Sequence, residues 1–167
     1  MKNIILLSDT HGFLDDRFLP YLSNCNEIWH AGDIGEIDII EKLKTFSPVK
    51  AVFGNIDGYP LRHTLPEWLS WKTENIPIMM THIGGRPPKF SKDVLTRIKQ
   101  EKPKIFISGH SHILLVQFLK EIDCLHLNPG AAGKQGWHKV QTLLKFQIEG
   151  TEIKNMEVVE LKRNSTN

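Results

Sequence analysis

Short apolar runs alternate with helical patterns along the first two thirds of the chain. Five of the runs are short and bounded by turn residues, which favours β-strands over helices. They cover residues 4–7, 27–29, 49–53, 76–80 and 105–107. Helical periodicity lies between several of them, and this alternation is typical of βα units that build a parallel sheet.

Three helices are predicted in the intervals between the strands. The first covers residues 14–22, and the second covers residues 36–46 and ends before Pro48. The third begins near Ser91, whose side chain suits an N-cap, and ends before Pro103. Each helix is expected to return the chain to another strand.

After residue 113 the pattern changes to consecutive strands. These are predicted over residues 114–120, 124–127, 141–148 and 151–161, with a turn at Glu149 and Gly150. Because each sheet must bury an apolar face, parallel βα units followed by antiparallel strands indicate two mixed β-sheets packed face to face with helices outside. We therefore predict an α/β fold, a four-layer α/β/β/α sandwich, as one domain over residues 1–161. A polar tail at 162–167 is expected to fray.

The composition is that of a globular protein with little net charge. Hydrophobic residues make up 40% and charged residues 24% of the 167 residues, and 21 Lys and Arg against 19 Asp and Glu leave a formal charge of +2. That balance argues against a strong nucleic-acid-binding surface or a polybasic membrane patch. The first apolar run ends at Ser8, too early for a signal peptide or a spanning helix. Cys25 and Cys124 form no Cys-x-x-Cys pair, so a disulfide framework is not indicated and we expect a cytoplasmic protein.

Five short polar stretches recur along the chain, four of them directly after apolar runs. They are Asp9-Thr10-His11, Gly32-Asp33, Gly54-Asn55, Thr81-His82 and Gly109-His110-Ser111-His112. An open α/β sheet gathers the carboxyl ends of its strands along one edge, so residues far apart in sequence can converge there on one ligand or metal cluster. The order of the stretches predicts such a cluster.

Two of the stretches carry pairs of candidate ligands. Asp9 and His11 stand at i and i+2 of a segment predicted to be extended, which points both side chains to the same side, as two ligands of one metal require. A capping Asp with a surface His fits the same residues. His110 and His112 give a stronger signal, because two imidazoles at this spacing match a shared site and suit first-row metals.

The other three stretches each carry one candidate ligand. Gly32 permits the tight turn that brings the Asp33 carboxylate up to a cluster. Asn55 belongs either to the cluster or to an ordinary turn, since Asn and Gly are the usual turn residues. His82 is either a metal ligand or part of a loop that approaches a helix.

Together the five stretches resemble the motifs of the calcineurin-like metallophosphoesterases. The motifs occur in the order Asp-x-His, Gly-Asp, Gly-Asn, His and Gly-His-x-His, and the resemblance covers almost the whole chain. In its short length the chain resembles the small single-domain phosphodiesterase branch of the family, the YfcE type. Two further segments are similar to that branch: His30-Ala31-Gly32-Asp33, and Asn128-Pro129-Gly130, which is expected to form a turn that borders the site.

The resemblance implies a site for two divalent metal ions. Asp9, His11, Asp33 and His112 would hold one ion, and Asp33, Asn55, His82 and His110 would hold the other, with Asp33 as the bridge. Oxygen and imidazole donors without thiolate suit Mn, Fe, Co, Ni or Zn, of which Mn is the first choice. The implied activity is hydrolysis of a small phosphodiester by in-line attack of a metal-bridging hydroxide, with Asp33, Asn55 and His82 as catalytic residues.

One departure from the superfamily pattern bears on acid catalysis. In many members the Gly-Asn step is followed by a histidine thought to protonate the leaving group, and this chain has Ile56 there. The small branch often lacks that histidine too. Leaving groups of low pKa are therefore expected to be favoured. His63 and His138 are alternative proton donors, or else ordinary surface histidines.

Three further residues are assigned to the surroundings of the site. Arg86, beside two glycines, is the candidate that clamps the phosphate, since its planar guanidinium can bind two oxygens, but it fits a solvated surface residue equally well. His30 is expected to orient a metal ligand without binding the metal itself. Asp57 either does the same or caps a turn.

Two other functions stay open at this point. The retromer coat subunit shares the implied fold and acts as an interaction scaffold with a degraded metal site, whereas all seven ligand positions are intact here. A phosphomonoesterase would need more basic groups around the site than this sequence offers. No membrane association is predicted, and apolar residues around Trp68 and Trp71 leave a homo-oligomer open.

Overall fold

Two five-stranded β-sheets form the centre of the computed structural model, which describes residues 1–163. The strands are β1 (Lys2–Leu7), β2 (Glu27–His30), β3 (Val49–Ala51), β4 (Trp68–Thr73), β5 (Ile76–Thr81), β6 (Ile105–Ile107), β7 (Leu114–Leu119), β8 (Cys124–Pro129), β9 (Val140–Glu149) and β10 (Glu152–Lys162). The α-helices are α1 (Leu19–Leu22), α2 (Ile37–Lys44), α3 (Leu61–Thr64) and α4 (Lys92–Glu101). The first sheet has the order β10-β9-β1-β2-β3, and the second has the order β4-β5-β6-β8-β7.

Parallel pairing brings the carboxyl ends of the central strands to one edge of each sheet. β1 pairs with β2, β2 with β3, β5 with β6 and β6 with β8 in parallel. β1 with β9, β9 with β10, β4 with β5 and β7 with β8 are antiparallel pairs. The loops after β1, β2 and β3 therefore share one edge, as do the loops after β5 and β6.

β1 illustrates how the layers are stacked. Ile4 and Leu6 point into a core between the two sheets, while Ile5 and Leu7 point into a second core under α1 and α2. A strand buried on both faces is a continuous apolar run, which is the pattern that the sequence shows. α4 covers the other sheet through a third apolar cluster. The predicted α/β/β/α sandwich of two mixed sheets is thereby confirmed.

The helices differ from prediction mainly at the first one. α4 begins after Ser91, as predicted, with the Ser91 hydroxyl accepting from the N–H of Val94 at 3.3 Å. The continuous helix predicted over residues 14–22 is wrong, because Asp15 caps a separate 3₁₀ turn by accepting from the N–H of Arg17. The α-helix begins only at Leu19, with Pro20 in its first turn, a position that suits proline whereas the interior of a helix does not.

Two elements and the ends of two strands were not predicted. α3 is a single turn, and β4 is an edge strand antiparallel to β5. Trp71 of β4 packs edge-on against Trp29 at 5.1 Å between ring centroids, so it faces the core rather than an oligomer surface. Asn128 and Pro129 end β8 instead of forming a turn, and β10 continues to Lys162. Residues 164–167 of the predicted tail lie outside the described residues.

Within residues 1–163, none of the helices combines the length and the apolar character that a bilayer crossing requires.

Candidate metal centre

Five loops at the carboxyl ends of strands carry the seven predicted ligands. Asp9 and His11 follow β1, Asp33 follows β2, Asn55 follows β3, His82 follows β5, and His110 and His112 follow β6. The loops of the two sheets meet: Nε2 of His82, from the second sheet, lies 3.2 Å from Oδ1 of Asp33, from the first. The seven side chains therefore lie together at the junction of the sheets.

The carboxylates and imidazoles fall into two groups of three. Asp9, His11 and His112 form one group, and Asp33, His82 and His110 form the other, with the ligand atoms of each group within 4.8 Å of one another. His110 and His112, although only two residues apart, belong to different groups. Each group thus combines one carboxylate with two imidazoles, a donor set that suits a first-row divalent cation.

Asp33 belongs to the second group and also faces the first. Its Oδ2 is 3.8 Å from Nε2 of His11, while its Oδ1 is 3.2 Å from Nε2 of His82 and accepts from the N–H of Ile56 at 3.0 Å. Burial by itself would raise the pKa of the Asp33 carboxyl, but the interactions with His82 and Ile56 outweigh it and lower that pKa below its usual value. The ionised carboxylate therefore presents one oxygen to each group.

Asp9 has an oxygen without a hydrogen-bond partner. The residue is fully buried, and among residues 1–163 nothing forms a hydrogen bond with its Oδ1, although Nε2 of His112 is only 3.1 Å away. Its Oδ2 accepts from the N–H of His110 at 3.2 Å. An unpartnered buried carboxylate oxygen is costly. Two atoms this close without hydrogen-bond geometry are better explained by a common cation toward which both are directed.

A backbone carbonyl orients the imidazole of His82. Nδ1 of His82 lies 2.7 Å from the carbonyl oxygen of Ala31, to which it donates, so in the neutral ring Nε2 keeps a lone pair for a metal. Oδ1 of Asn55 lies 3.1 Å from that Nε2. Burial alone would lower the pKa of His82, yet Asp33 and Asp9 raise it. The net rise reflects negative charge that a cation would neutralise.

The backbone of the ligand loops is strained. Asp9, His11, Asp33, His110 and His112 all have φ between 48° and 66°, the left-handed region that non-glycine residues seldom adopt. The extended i, i+2 arrangement predicted for Asp9 and His11 is therefore wrong, because the chain leaves β1 and turns sharply at both residues. Such strain persists only where the surrounding structure holds it, and it is concentrated at functional sites.

His30 supports two of these loops from below. The hydroxyl of Thr10 donates to the carbonyl of Ile34 at 2.9 Å, so it accepts from Nε2 of His30 at 3.0 Å, and Nδ1 accepts from the N–H of Gly32 at 3.2 Å. Burial lowers the pKa of His30 to about 4, in agreement with a neutral ring. The ring thereby links Thr10, which lies between Asp9 and His11, to the loop of Asp33.

Asp57 joins the loops after β2 and β3. Its Oδ1 accepts from the N–H of Gly35 at 2.8 Å, and its Oδ2 accepts from the N–H groups of Ile34 at 3.1 Å and Gly54 at 2.7 Å. The bond to Gly54 caps a turn, and the other two cross to the loop that follows Asp33. Asp57 thus caps a turn and links the two loops, while its suggested role in orienting a metal ligand stays a prediction.

Two glycines allow the loops to approach this closely. Gly32 has φ of 97°, and a Cβ there would lie 2.6 Å from Nδ1 of His82. A Cβ at Gly54 would collide with the Asp33 carboxylate. A side chain at Gly32 would displace the His82 imidazole, and one at Gly54 would displace the Asp33 carboxylate, so either would disturb the group that contains both ligands.

The arginines around the centre differ from the sequence prediction. Arg86 is exposed, and its side chain has no hydrogen bond or ion pair within residues 1–163, so no contact places it in the centre. Arg62, which sequence reasoning missed, donates to the backbone carbonyls of Asp57, Gly54 and Asn55. Nothing in the local sequence distinguishes the two arginines, because the difference arises when α3 folds back onto the loop of Asn55.

The alternative proton donors are not brought into the cluster by any contact of the described residues. His63 lies on α3 and is exposed, with its ring 6.1 Å from that of Tyr59. His138 is exposed in the loop before β9. Ile56 contributes its backbone N–H to Asp33, and its side chain is 48% exposed.

Comparison with known proteins identifies the family. The model of the calcineurin-like phosphoesterase superfamily domain matches residues 1–151. A probable metallophosphoesterase from Methanothermobacter thermautotrophicus is 29% identical over 133 residues, which are 75% of this chain and 74% of that protein. Two solved structures under 25% identity share the fold.

One of these structures is Vps29 complexed with Zn²⁺ from Entamoeba histolytica, with a TM-score of 0.75, 20% identity, and coverage of 97% of this chain and 99% of that one. The other is a novel archaeal phosphodiesterase, with a TM-score of 0.68, 22% identity, and coverage of 94% and 99%. The family match extends from β1 to the turn before β10 and includes every loop of the metal centre. This chain therefore belongs to the calcineurin-like phosphoesterase superfamily and is a metal-dependent phosphoesterase.

Proposed function

We propose that the protein is a phosphodiesterase that works with two divalent metal ions. The observation that carries the proposal is the position of the Asp33 carboxylate, with one oxygen facing His11 and the other facing His82. A carboxylate can bridge two cations in this way, whereas an imidazole cannot. Asp33 would therefore be the ligand that both ions share.

The remaining ligands divide between the two ions. Asp9, His11, Asp33 and His112 would hold one ion, and Asp33, Asn55, His82 and His110 would hold the other. When bound, two cations stabilise charge on a phosphoryl group and lower the pKa of coordinated water, so that an attacking hydroxide is available near neutral pH. Mn²⁺ is our first choice, and Fe, Co, Ni and Zn suit the same donors.

The chain itself supplies position and charge. Asp33 stays ionised because His82 and the N–H of Ile56 lower the pKa of its carboxyl. The Ala31 carbonyl holds His82 with Nε2 toward the centre, and the amide of Asn55 lies against the same nitrogen. Two carboxylates against two divalent ions leave the centre positive, so it attracts a phosphate anion without a basic protein surface.

The surroundings of Asn55 favour diesters with good leaving groups. Ile56 occupies the place where many family members carry a histidine, and its side chain has no proton to donate. Leaving groups of low pKa, such as aryl or nucleotidyl oxygens, then depart without protonation. The related archaeal protein is described as a phosphodiesterase, in agreement with this substrate class.

The test is turnover by metal-free protein to which Mn²⁺ is added back. Hydrolysis of bis-p-nitrophenyl phosphate is compared with that of p-nitrophenyl phosphate, for the wild type, Asp33→Asn and the matched control Asp38→Asn on the exposed surface of α2. We expect Mn²⁺-dependent cleavage of the diester, a smaller rate for the monoester, and no effect of Asp38→Asn.

Asp33→Asn should lower kcat/KM by more than about a hundredfold, since loss of a bridging ligand should exceed the roughly 10–100-fold cost of losing an outer partner. Preference for the monoester would indicate a phosphomonoesterase instead. Metal binding without turnover of any ester would favour an interaction scaffold, the alternative suggested by the fold shared with Vps29.

A further inference from the structure

A small cavity adjoins the half of the centre that contains Asn55 and His82. Its volume is about 160 Å³, and Arg62, Glu67 and Trp68 also line it. Ligand pockets commonly measure roughly 300–1,000 Å³, so this one has room for one group of a substrate rather than for a whole molecule. Because Asn55 and His82 belong to both the cavity and the centre, a phosphate held at the centre would lie at the mouth of the cavity.

Arg62 is fixed in the wall of this cavity. Its Nε donates to the carbonyl of Asp57, and its Nη2 lies 3.2 Å from the carbonyl oxygen of Gly54 and 3.3 Å from that of Asn55. The guanidinium carbon stands 4.6 Å from the centroid of the Phe53 ring. The orientation of the guanidinium is thus set by the loop that carries Asn55.

The fixed guanidinium keeps unused binding capacity. Across residues 1–163, no carboxylate forms an ion pair with Arg62, and its Nη1 has no hydrogen-bond partner. A planar cation that is held in advance, with N–H donors left over, is well suited to bind phosphate oxygens. Arg86 has no comparable anchor and does not line the cavity.

Glu67 is an exposed acidic residue that also lines this cavity. Its backbone carbonyl accepts from the Thr81 hydroxyl at 3.1 Å, which fixes the residue beside the cavity, and its carboxylate pairs with no cation of the described chain. A carboxylate beside the bound phosphate would repel a dianionic phosphomonoester more strongly than a monoanionic diester.

We infer that the mouth of the cavity is a subsite for the substrate's phosphate, in which Arg62 binds a phosphate oxygen and Glu67 selects against monoesters. This inference rests on the proposed phosphodiesterase function and names the residues that give it its substrate class. It assigns to Arg62 the role that the sequence suggested for Arg86.

The test measures binding to Mn²⁺-loaded protein by titration calorimetry, with inorganic phosphate and dimethyl phosphate as probes. Arg62→Gln should weaken the affinity for both probes by about tenfold or more, the effect of one hydrogen bond to a charged group. Arg62→Lys should fall between Arg62→Gln and the wild type, because it keeps the charge but loses the fork. The control Lys44→Gln removes an exposed positive charge at the end of α2 and should change neither affinity.

Mn²⁺ titration of the same variants distinguishes a role of Arg62 in phosphate binding from a role in holding the Asn55 loop. If Arg62→Gln weakens Mn²⁺ binding as much as phosphate binding, Arg62 merely holds the Asn55 loop and the inference is overturned. It is also overturned if Arg86→Gln weakens phosphate binding while Arg62→Gln does not.

Glu67→Gln tests the discrimination between ester classes. It should strengthen the binding of inorganic phosphate more than that of dimethyl phosphate, and an equal effect on the two probes contradicts the role of Glu67. Absence of diester turnover by the wild type would overturn the proposed function. Normal turnover by an Arg62→Gln enzyme with unchanged affinities would overturn this inference alone.

Discussion

One buried histidine outside the metal centre gives the protein a pH response of its own. His126 is 1% exposed, its Nε2 lies 2.9 Å from the Ser108 hydroxyl, and within the described residues its Nδ1 has no partner. Its ring stacks on Phe106 at 4.9 Å between centroids. Burial lowers the pKa of His126 to about 4 from the ordinary value of 6.5.

We predict that the metal-free protein becomes less stable as the pH falls from 6.5 toward 4. In this window the unfolded chain binds a proton at residue 126 and the folded chain does not, so the free energy of unfolding decreases with falling pH. The loss at pH 4 is on the order of 3 kcal/mol from this group. Urea unfolding at several pH values should show a shallower pH dependence for His126→Gln, and an unaltered slope would contradict the prediction.

At the scale of elements, Asp57 determines how two loops meet. Its carboxylate accepts three backbone N–H groups, two from the loop after β2 and one from the loop after β3. Asp57→Asn replaces one acceptor oxygen by an NH₂ donor that faces those N–H groups. Mn²⁺ affinity measured by calorimetry should fall roughly 10–100-fold although Asp57 itself is no ligand. Asp38→Asn is the matched control, and equal affinities of the two variants would show that the loops hold their positions without Asp57.

The same scale shows where sequence patterns succeed and where they fail. α4 was predictable because Ser91 and Pro103 mark its limits locally. The segment over residues 14–22 was not, because Asp15 and Pro20 divide it into two short turns that have the same overall hydrophobic pattern as one helix. Apolar and polar residues alternate only weakly along the edge strand β4, so the strand is recognised by its pairing with β5.

In the molecule as a whole, the packing of the two sheets depends on Trp29. It is fully buried, and its ring meets Trp71 of the second sheet at 5.1 Å and Phe146 of the first at 5.6 Å. Trp29→Ala should lower the free energy of unfolding by about 3–5 kcal/mol, because it empties the core between the sheets. Trp137→Ala, at a fully exposed residue, should change it by less than about 0.5 kcal/mol. Similar urea midpoints for the two variants would contradict this account of the core.

Local patterns along the chain were enough to predict the class of fold and the set of residues that meet at the strand ends. Alternating apolar runs and helices specify layered sheets, since burial of apolar faces is a local requirement repeated along the chain. Polar residues placed at strand ends specify a cluster, since parallel strands share an edge. The motif order from Asp9 to His112 then indicated the superfamily.

The folded structure set the arrangement of those residues. It separated His110 from His112, placed Asp33 between the two groups, and turned Asp9 and His11 into left-handed conformations that their own sequence does not favour. It also brought Arg62 rather than Arg86 to the cavity beside Asn55. These outcomes depend on contacts between segments far apart in the chain, and no local pattern records which distant carbonyl, carboxylate or ring a side chain will meet.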